Sequence, residues 1–222
     1  MNKKYRVINW IFYELFVGLG IALCTKAGFG LSMIAAPPYI LHVWLRDYFP
    51  WYTQGTSEYV WEAVVLLVTC LIIRKFSPKY LLSFLAAVIT GFIIDGWLFL
   101  LGGNAVYAGM PARVLSFAAG LIVCALGVAF IFRSNLPAQT YELSVKEIAA
   151  RFGIPSAKVK QYFDITMLVI SVVLDLLLLH KFTGTGIGTV IATLVNSTII
   201  NIWLKVIDKI ERTPASESNP EK

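Results

Sequence analysis

Six apolar runs divide the 222 residues, and each approaches the length needed to cross a bilayer as a helix. They lie at roughly 7–26, 59–73, 80–102, 112–132, 162–180 and 186–204. The second is short, so it requires tilt or an extension from the loop before it. Hydrocarbon offers backbone groups no water to bond, so runs of this kind must satisfy themselves as helices. Composition agrees: 14% of residues are charged, against about 25% in a soluble domain. The expected fold class is therefore all-α, a polytopic helical membrane protein whose surroundings are the lipid bilayer.

Basic residues then assign the sides. They cluster before the first run (Lys3, Lys4, Arg6), between the second and third (Arg74, Lys75, Lys79), between the fourth and fifth (Arg133, Lys146, Arg151, Lys158, Lys160) and after the last (Lys205, Lys209, Arg212). The other connections hold little more than Arg46, Arg113 and Lys181. This predicts a cell-membrane protein with both termini cytoplasmic. It also accounts for the net charge of +6 without any nucleic acid. Cys24, Cys70 and Cys124 lie in apolar runs without CxxC spacing and are expected as free thiols. The polar tail, 213–222, is expected to be disordered.

Two connections are more than turns. After the first run, Gly28 and Gly30 break the helix, Ser32 is placed to cap a short new one, and Pro37–Pro38 limit its length. After the fourth, residues 140–152 are amphipathic, Gly153 ends that helix and Ser156 starts the next. The stretch through Tyr162 has a helix-turn-helix look. Its second helix runs straight into an apolar span, which favours a cytoplasmic helix at the membrane surface over a DNA reader.

The chain also repeats itself. "GIALCTKAG" from Gly20 aligns with "GVAFIFRSN" from Gly127, and "VWEAVVLLV" aligns with "YFDITMLVI", setting Glu62 over Asp164. "TGFIIDGWL" aligns with "NSTIINIWL", setting Asp95 over Asn201 and Trp97 over Trp203. Each unit holds three spans, 7–102 and 112–206. An odd number makes the second unit enter from the opposite side, so the repeats are inverted, as in many secondary transporters.

Polar residues within the spans mark the expected route. Acids at bilayer depth cost roughly 2.5–3.5 kcal/mol on insertion scales and so normally face a bundle or water. Glu14, Asp164 and Asn201 fall toward the cytoplasmic side, and Glu62, Asp95 and Asp175 toward the outer side, with Lys26 and Arg133 as the nearest cations. The expectation is one polar cluster per leaflet, completed by Gln139, Glu142 and Asn196. A plainer alternative pairs Glu62 with Lys26 and Asp164 with Arg133 as structural ion pairs. Gly186, Gly188 and Thr189 in "TGTGIGT" lack the Gly-Lys-Ser/Thr ending of a phosphate loop, so they read as a helix break or close-packing site.

The segments "AGFGLSMIAAPPYI" (27–40) and "TGTGIGTVIATLVNSTII" (183–200) resemble the YczE/YitT group of bacterial integral membrane proteins. This chain has Gln139 where that group tends to have Asp, and Asn196 and Ser197 where it tends to have Gly. The resemblance implies a multi-pass membrane protein and no particular activity.

His42 and His180 lack metal-site spacing, and Ser, Cys and His form no nucleophile motif, so neither metal, cofactor nor enzymatic activity is expected. The leading expectation is a transporter or channel for a small solute or ion. The rival is a non-transporting scaffold or regulatory partner, with self-association open; an intramembrane enzyme is the weakest reading.

Overall fold

A computed structural model describes residues 3–134 and 136–216, and every regular element among them is helical. The order is α1 (Lys3–Ala27), α2 (Ala36–Leu45), α3 (Gln54–Ile73), α4 (Tyr80–Leu100), α5 (Met110–Ser134), α6 (Thr140–Phe152), α7 (Ser156–Leu174) and α8 (Ile187–Ser216). A π-helical turn, Asp175–Leu179, prolongs α7. Six helices, all but α2 and α6, are long and apolar enough to cross a membrane.

Local chemistry sets the boundaries. α3 starts five residues before the 59 expected, because Thr53 is extended and its hydroxyl accepts the Thr56 N–H. That extension lengthens the short second span. α6 ends at Gly153, whose φ of 66° is left-handed. In the first connection two expectations fail. The carbonyl of Ser32, not its side chain, accepts the Ala35 and Ala36 N–H groups. Pro37 and Pro38 sit in the first turn of α2, where a missing N–H costs nothing, so they begin that helix instead of limiting it. The polar tail is also corrected in part: α8 continues through residues 213–216, and 217–222 lie outside the described residues.

α1 and α5 form the central pair. Small residues let them approach: a Cβ on Gly20 would lie 2.5 Å from Cys124 Cβ, and one on Gly127 would lie 2.9 Å from Val17. The pair is antiparallel. Arg6 Nε donates to the Ser134 carbonyl at 2.8 Å, and Arg113 Nε donates to the Ala27 carbonyl at 2.7 Å. An offset of 107 residues takes Arg6 to Arg113 and Ala27 to Ser134, so the two bonds are one contact with the halves exchanged. The same holds for Gly20–Cys124 and Gly127–Val17. Within each half one bond also recurs: Trp97 Nε1 donates to Leu15 O, and Trp203 Nε1 to Ile122 O, both at 3.1 Å. Contacts that exchange in this way between antiparallel helices describe inverted repeats.

The ends of the bundle differ. Trp10 Nε1 donates to Pro137 O, so α1 begins beside α6 on what we term the basic face. Lys26 Nζ donates to Gly103 O, and Leu31 N–H to Gly184 O, on the opposite face, which carries α2.

The symmetry then breaks. α1 rests on α4 as α5 rests on α8, and α3 meets α6 as α7 meets α2. α3 and α4 are pressed together at Gly55 and Gly91, where a Cβ on Gly91 would lie 2.6 Å from Gly55 O. Their counterparts α7 and α8 have no pair of Cα atoms within 8 Å. Among the described helices α8 touches only α5.

Candidate functional site

The first turn of α6 enters the bundle and collects acids from two spans. Thr140 N–H donates to Glu62 Oε2 at 2.8 Å, at the N-terminal end of the helix. One residue earlier, the Gln139 amide donates to Thr90 Oγ1 at 2.7 Å, and the Thr90 hydroxyl in turn donates to the Glu14 carboxylate. Tyr141 donates its hydroxyl to Glu58 Oε1 at 3.3 Å. Glu14, Glu58 and Glu62 are each at most 3% exposed. Glu142, next in α6, has a buried Oε2 without a hydrogen-bond partner among the described residues. Burial raises its carboxyl above the usual carboxylate range, with Lys160 acting against the rise.

A cleft of about 350 Å³ opens beside this cluster. Tyr13 and Cys24 of α1 and Cys124 of α5 form its inner wall, and Asn196 and Ser197 of α8 its outer wall. Glu58, Tyr141 and Glu142 lie at its polar end with Lys160 and Asp164 of α7. It fills the space that the separation of α7 from α8 leaves. Asn196 Oδ1 is buried there with no hydrogen-bond partner among the described residues.

The expected route residues therefore divide. Glu142, Gln139, Asp164 and Asn196 line the cleft, and Glu14 and Glu62 lie behind it through their bonds to Thr90 and to the start of α6. The arrangement of one cluster per leaflet is corrected: α6 reaches far enough into the bundle to join Glu62 to Glu14. The ion pairs proposed as an alternative are not formed. Lys26 is spent on Gly103 O and stands over the Tyr107 ring at 4.8 Å. Arg133 pairs with Asp208, and Asp164 accepts from Lys160 Nζ at 2.7 Å. Asn201 is exposed on α8.

Asp95 and Asp175 are engaged elsewhere. Asp95 accepts the Gly55 N–H at 2.8 Å and the Thr53 hydroxyl at 2.5 Å, tying α4 to the start of α3. Asp175 accepts from Thr183 N–H and Gly184 N–H at 3.1 Å, and from the N–H and hydroxyl of Thr185 at 2.8 and 2.6 Å. That loop holds the glycine motifs together. Gly28 and Gly30 have φ of 64° and 96°. Gly188 N–H donates to Phe29 O at 2.8 Å, and Thr189 Oγ1 accepts the Gly186 N–H at 3.2 Å. The N–H groups at the start of α8 thus have protein acceptors.

Sequence reading missed Glu58, Tyr13, Tyr141 and Thr90. Glu58 stands one helical turn before Glu62 and would have been found had α3 been started at Thr53.

Comparison with known proteins supports the coarse assignment. A family model described as "Family of unknown function (DUF6198)" matches residues 4–205. "Uncharacterized protein YyaS" of Bacillus subtilis (strain 168) is 24% identical over 198 residues, covering 88% of this chain and 90% of its own. No solved structure matches the chain. With residues 4–205 under one family model, nearly its whole length, this chain belongs to the DUF6198 family.

Proposed function

We propose that this protein carries a small solute across the cell membrane, opening its two equivalent seams in turn. The observation that carries this reading is the unequal state of those seams. Repeat offsets of 102 and 106 place Ala157 at the position of Gly55, Ser197 at that of Gly91 and Asn201 at that of Asp95. Gly55 and Gly91 touch, and Asp95 caps α3. α7 begins at Ser156, after Pro155, without a side-chain cap, and α8 stands away from it. Two halves of like sequence in unlike states are what alternating access requires, with the solute site at their interface. Ala157 and Ser197 are small enough to repeat the Gly55–Gly91 approach.

Under this reading both termini are cytoplasmic, because Arg74, Lys75, Lys79, Lys146 and Arg151 all belong to the basic face. The cleft then opens toward the cytoplasm while the α3–α4 seam closes the outer route. The likeness to the YczE/YitT group is part of the same reading and adds a membrane setting without a substrate. The protein moves its solute without altering it chemically. The rival, a scaffold or self-associating partner, draws on α8 being the least buried span.

The test is a disulfide. Ala157→Cys and Ser197→Cys are introduced with Cys24, Cys70 and Cys124 replaced by alanine. Cysteine Cα atoms more than about 7 Å apart cannot be bridged without backbone movement, and no α7–α8 pair lies within 8 Å. Oxidation in membranes is expected to form the bond and stop flux into liposomes, and reduction to restore it. A folded, oxidised protein that never forms the bond refutes alternation, and a bridged protein with unchanged flux does the same.

A further inference from the structure

The charge balance of the cleft defines what it takes. Glu14, Glu58, Glu62 and Glu142 converge on the start of α6, three of them almost wholly buried. Of the cations beside them, Lys160 is already bonded to Asp164, and Lys146 stands on α6 itself, one turn beyond Glu142. Carboxylates out of water demand a counter-charge, or they cannot stay ionised. Two further buried oxygens in the cleft, Glu142 Oε2 and Asn196 Oδ1, are acceptors without donors among the described residues. The polar end of the cleft is therefore rich in acceptors. The rest of the wall is largely apolar, with Tyr13 and Phe117 among its lining residues, and suits an apolar body. A volume of about 350 Å³ is at the lower end of the range for ligand pockets, about 300–1,000 Å³.

We infer that the cleft binds a small organic cation, an amine or quaternary ammonium with an apolar body, its charge held by Glu58 and Glu142 and its body lying against Tyr13 and Phe117. This rests on the transport reading for its physiological meaning, but binding can be measured without flux. A metal ion fits the site less well, since no group of three or more His, Cys, Asp or Glu side chains among the described residues is arranged to hold one. An anion would meet carboxylates at the polar end.

The experiment titrates the purified full chain with benzyltrimethylammonium, using benzoate and benzyl alcohol as the anionic and neutral controls. Saturable binding of the cation is expected, at least tenfold tighter than either control. Glu58→Gln and Glu142→Gln are each expected to weaken it at least tenfold. Should either glutamine variant fail to fold, Ser197→Trp decides: it fills the cleft from the exposed wall of α8 and leaves every carboxylate in place. Loss of cation binding in that variant supports the site, and wild-type affinity overturns it. The inference is also overturned if benzoate or benzyl alcohol binds as well as the cation, or if the glutamine variants bind within twofold of wild type. Cation binding without flux in liposomes would sink the transport reading alone. Flux of an anionic or neutral solute, with no cation binding, would sink the substrate class alone.

Discussion

Asp95→Asn is the substitution that separates a gate from a strut. In the closed α3–α4 seam the carboxylate accepts two bonds, from Gly55 N–H at 2.8 Å and Thr53 Oγ1 at 2.5 Å. A hydrogen bond to a charged group contributes about 1.5–3 kcal/mol, against about 0.5–1.5 kcal/mol for a neutral one. Asparagine keeps an acceptor for Gly55, and the Thr53 hydroxyl can turn to Thr56 Oγ1 at 2.8 Å. The net loss is then close to the charge contribution, about 1.5 kcal/mol, which shifts an equilibrium about tenfold. Asp95→Ala removes both bonds, about 3 kcal/mol or more. If the seams alternate, weakening α3–α4 must favour closure of α7–α8. The rate of the Ala157→Cys/Ser197→Cys cross-link should rise about tenfold in Asp95→Asn and further in Asp95→Ala. A cross-link rate within twofold of the parent, in protein that is folded and in the membrane, would falsify the coupling of the two seams.

Three other outcomes follow from the same geometry. Asn201→Asp puts a carboxylate at the repeat position of Asp95 and should raise the same cross-link rate, with no change if Asn201 only faces lipid. Asp175→Ala strands the N–H groups of Thr183, Gly184 and Thr185 at about 1–3 kcal/mol each, so the variant should be sharply less heat-stable in detergent; wild-type stability would contradict a structural role. His42 offers Nδ1–H to Tyr52 O at 2.9 Å and accepts at Nε2 from Asn104 at 2.7 Å, and burial lowers its pKa below the usual value. Its neutral form is the folded one, so its contribution is present above about pH 6.5 and is lost as pH falls. Relative to His42→Gln, the wild-type melting temperature should drop between pH 7.5 and 5.5, by up to about 1.4 kcal/mol of stability per pH unit; parallel curves would exclude the linkage.

Features decided within a few residues were legible in the sequence. The apolar runs marked the spans because lipid tolerates little else, and the bounds of α6 followed from its amphipathic pattern and Gly153. Trp97 and Trp203, which the repeat alignment superposes, donate to matching carbonyls. What could not be read locally was decided across the chain. Asp95 and Asp175 read as route residues because a buried acid looks the same whether it faces solute or caps a loop. Only the arrival of Thr53, or of the 183–185 loop, distinguishes the two cases. Glu58 was hidden by the misplaced start of α3, where the Thr53 cap precedes the apolar run by several residues. The cleft is an absence of contact between α7 and α8, and no local pattern records an absence.

The exchange of contacts between α1 and α5 has a consequence for biosynthesis. Gly20 reaches its partner Cys124 only after the intervening residues have been made, which takes about 5–20 s at ordinary elongation rates. Until then α4 is the neighbour that can shield α1: Ile93 covers Gly18, and Thr90 engages Glu14. The nascent first half must therefore wait in the bilayer with one glycine-lined flank bare. A fourth span delivered as a separate polypeptide with the rest of the second half would find the same flank waiting, so the two halves should assemble when expressed as independent chains.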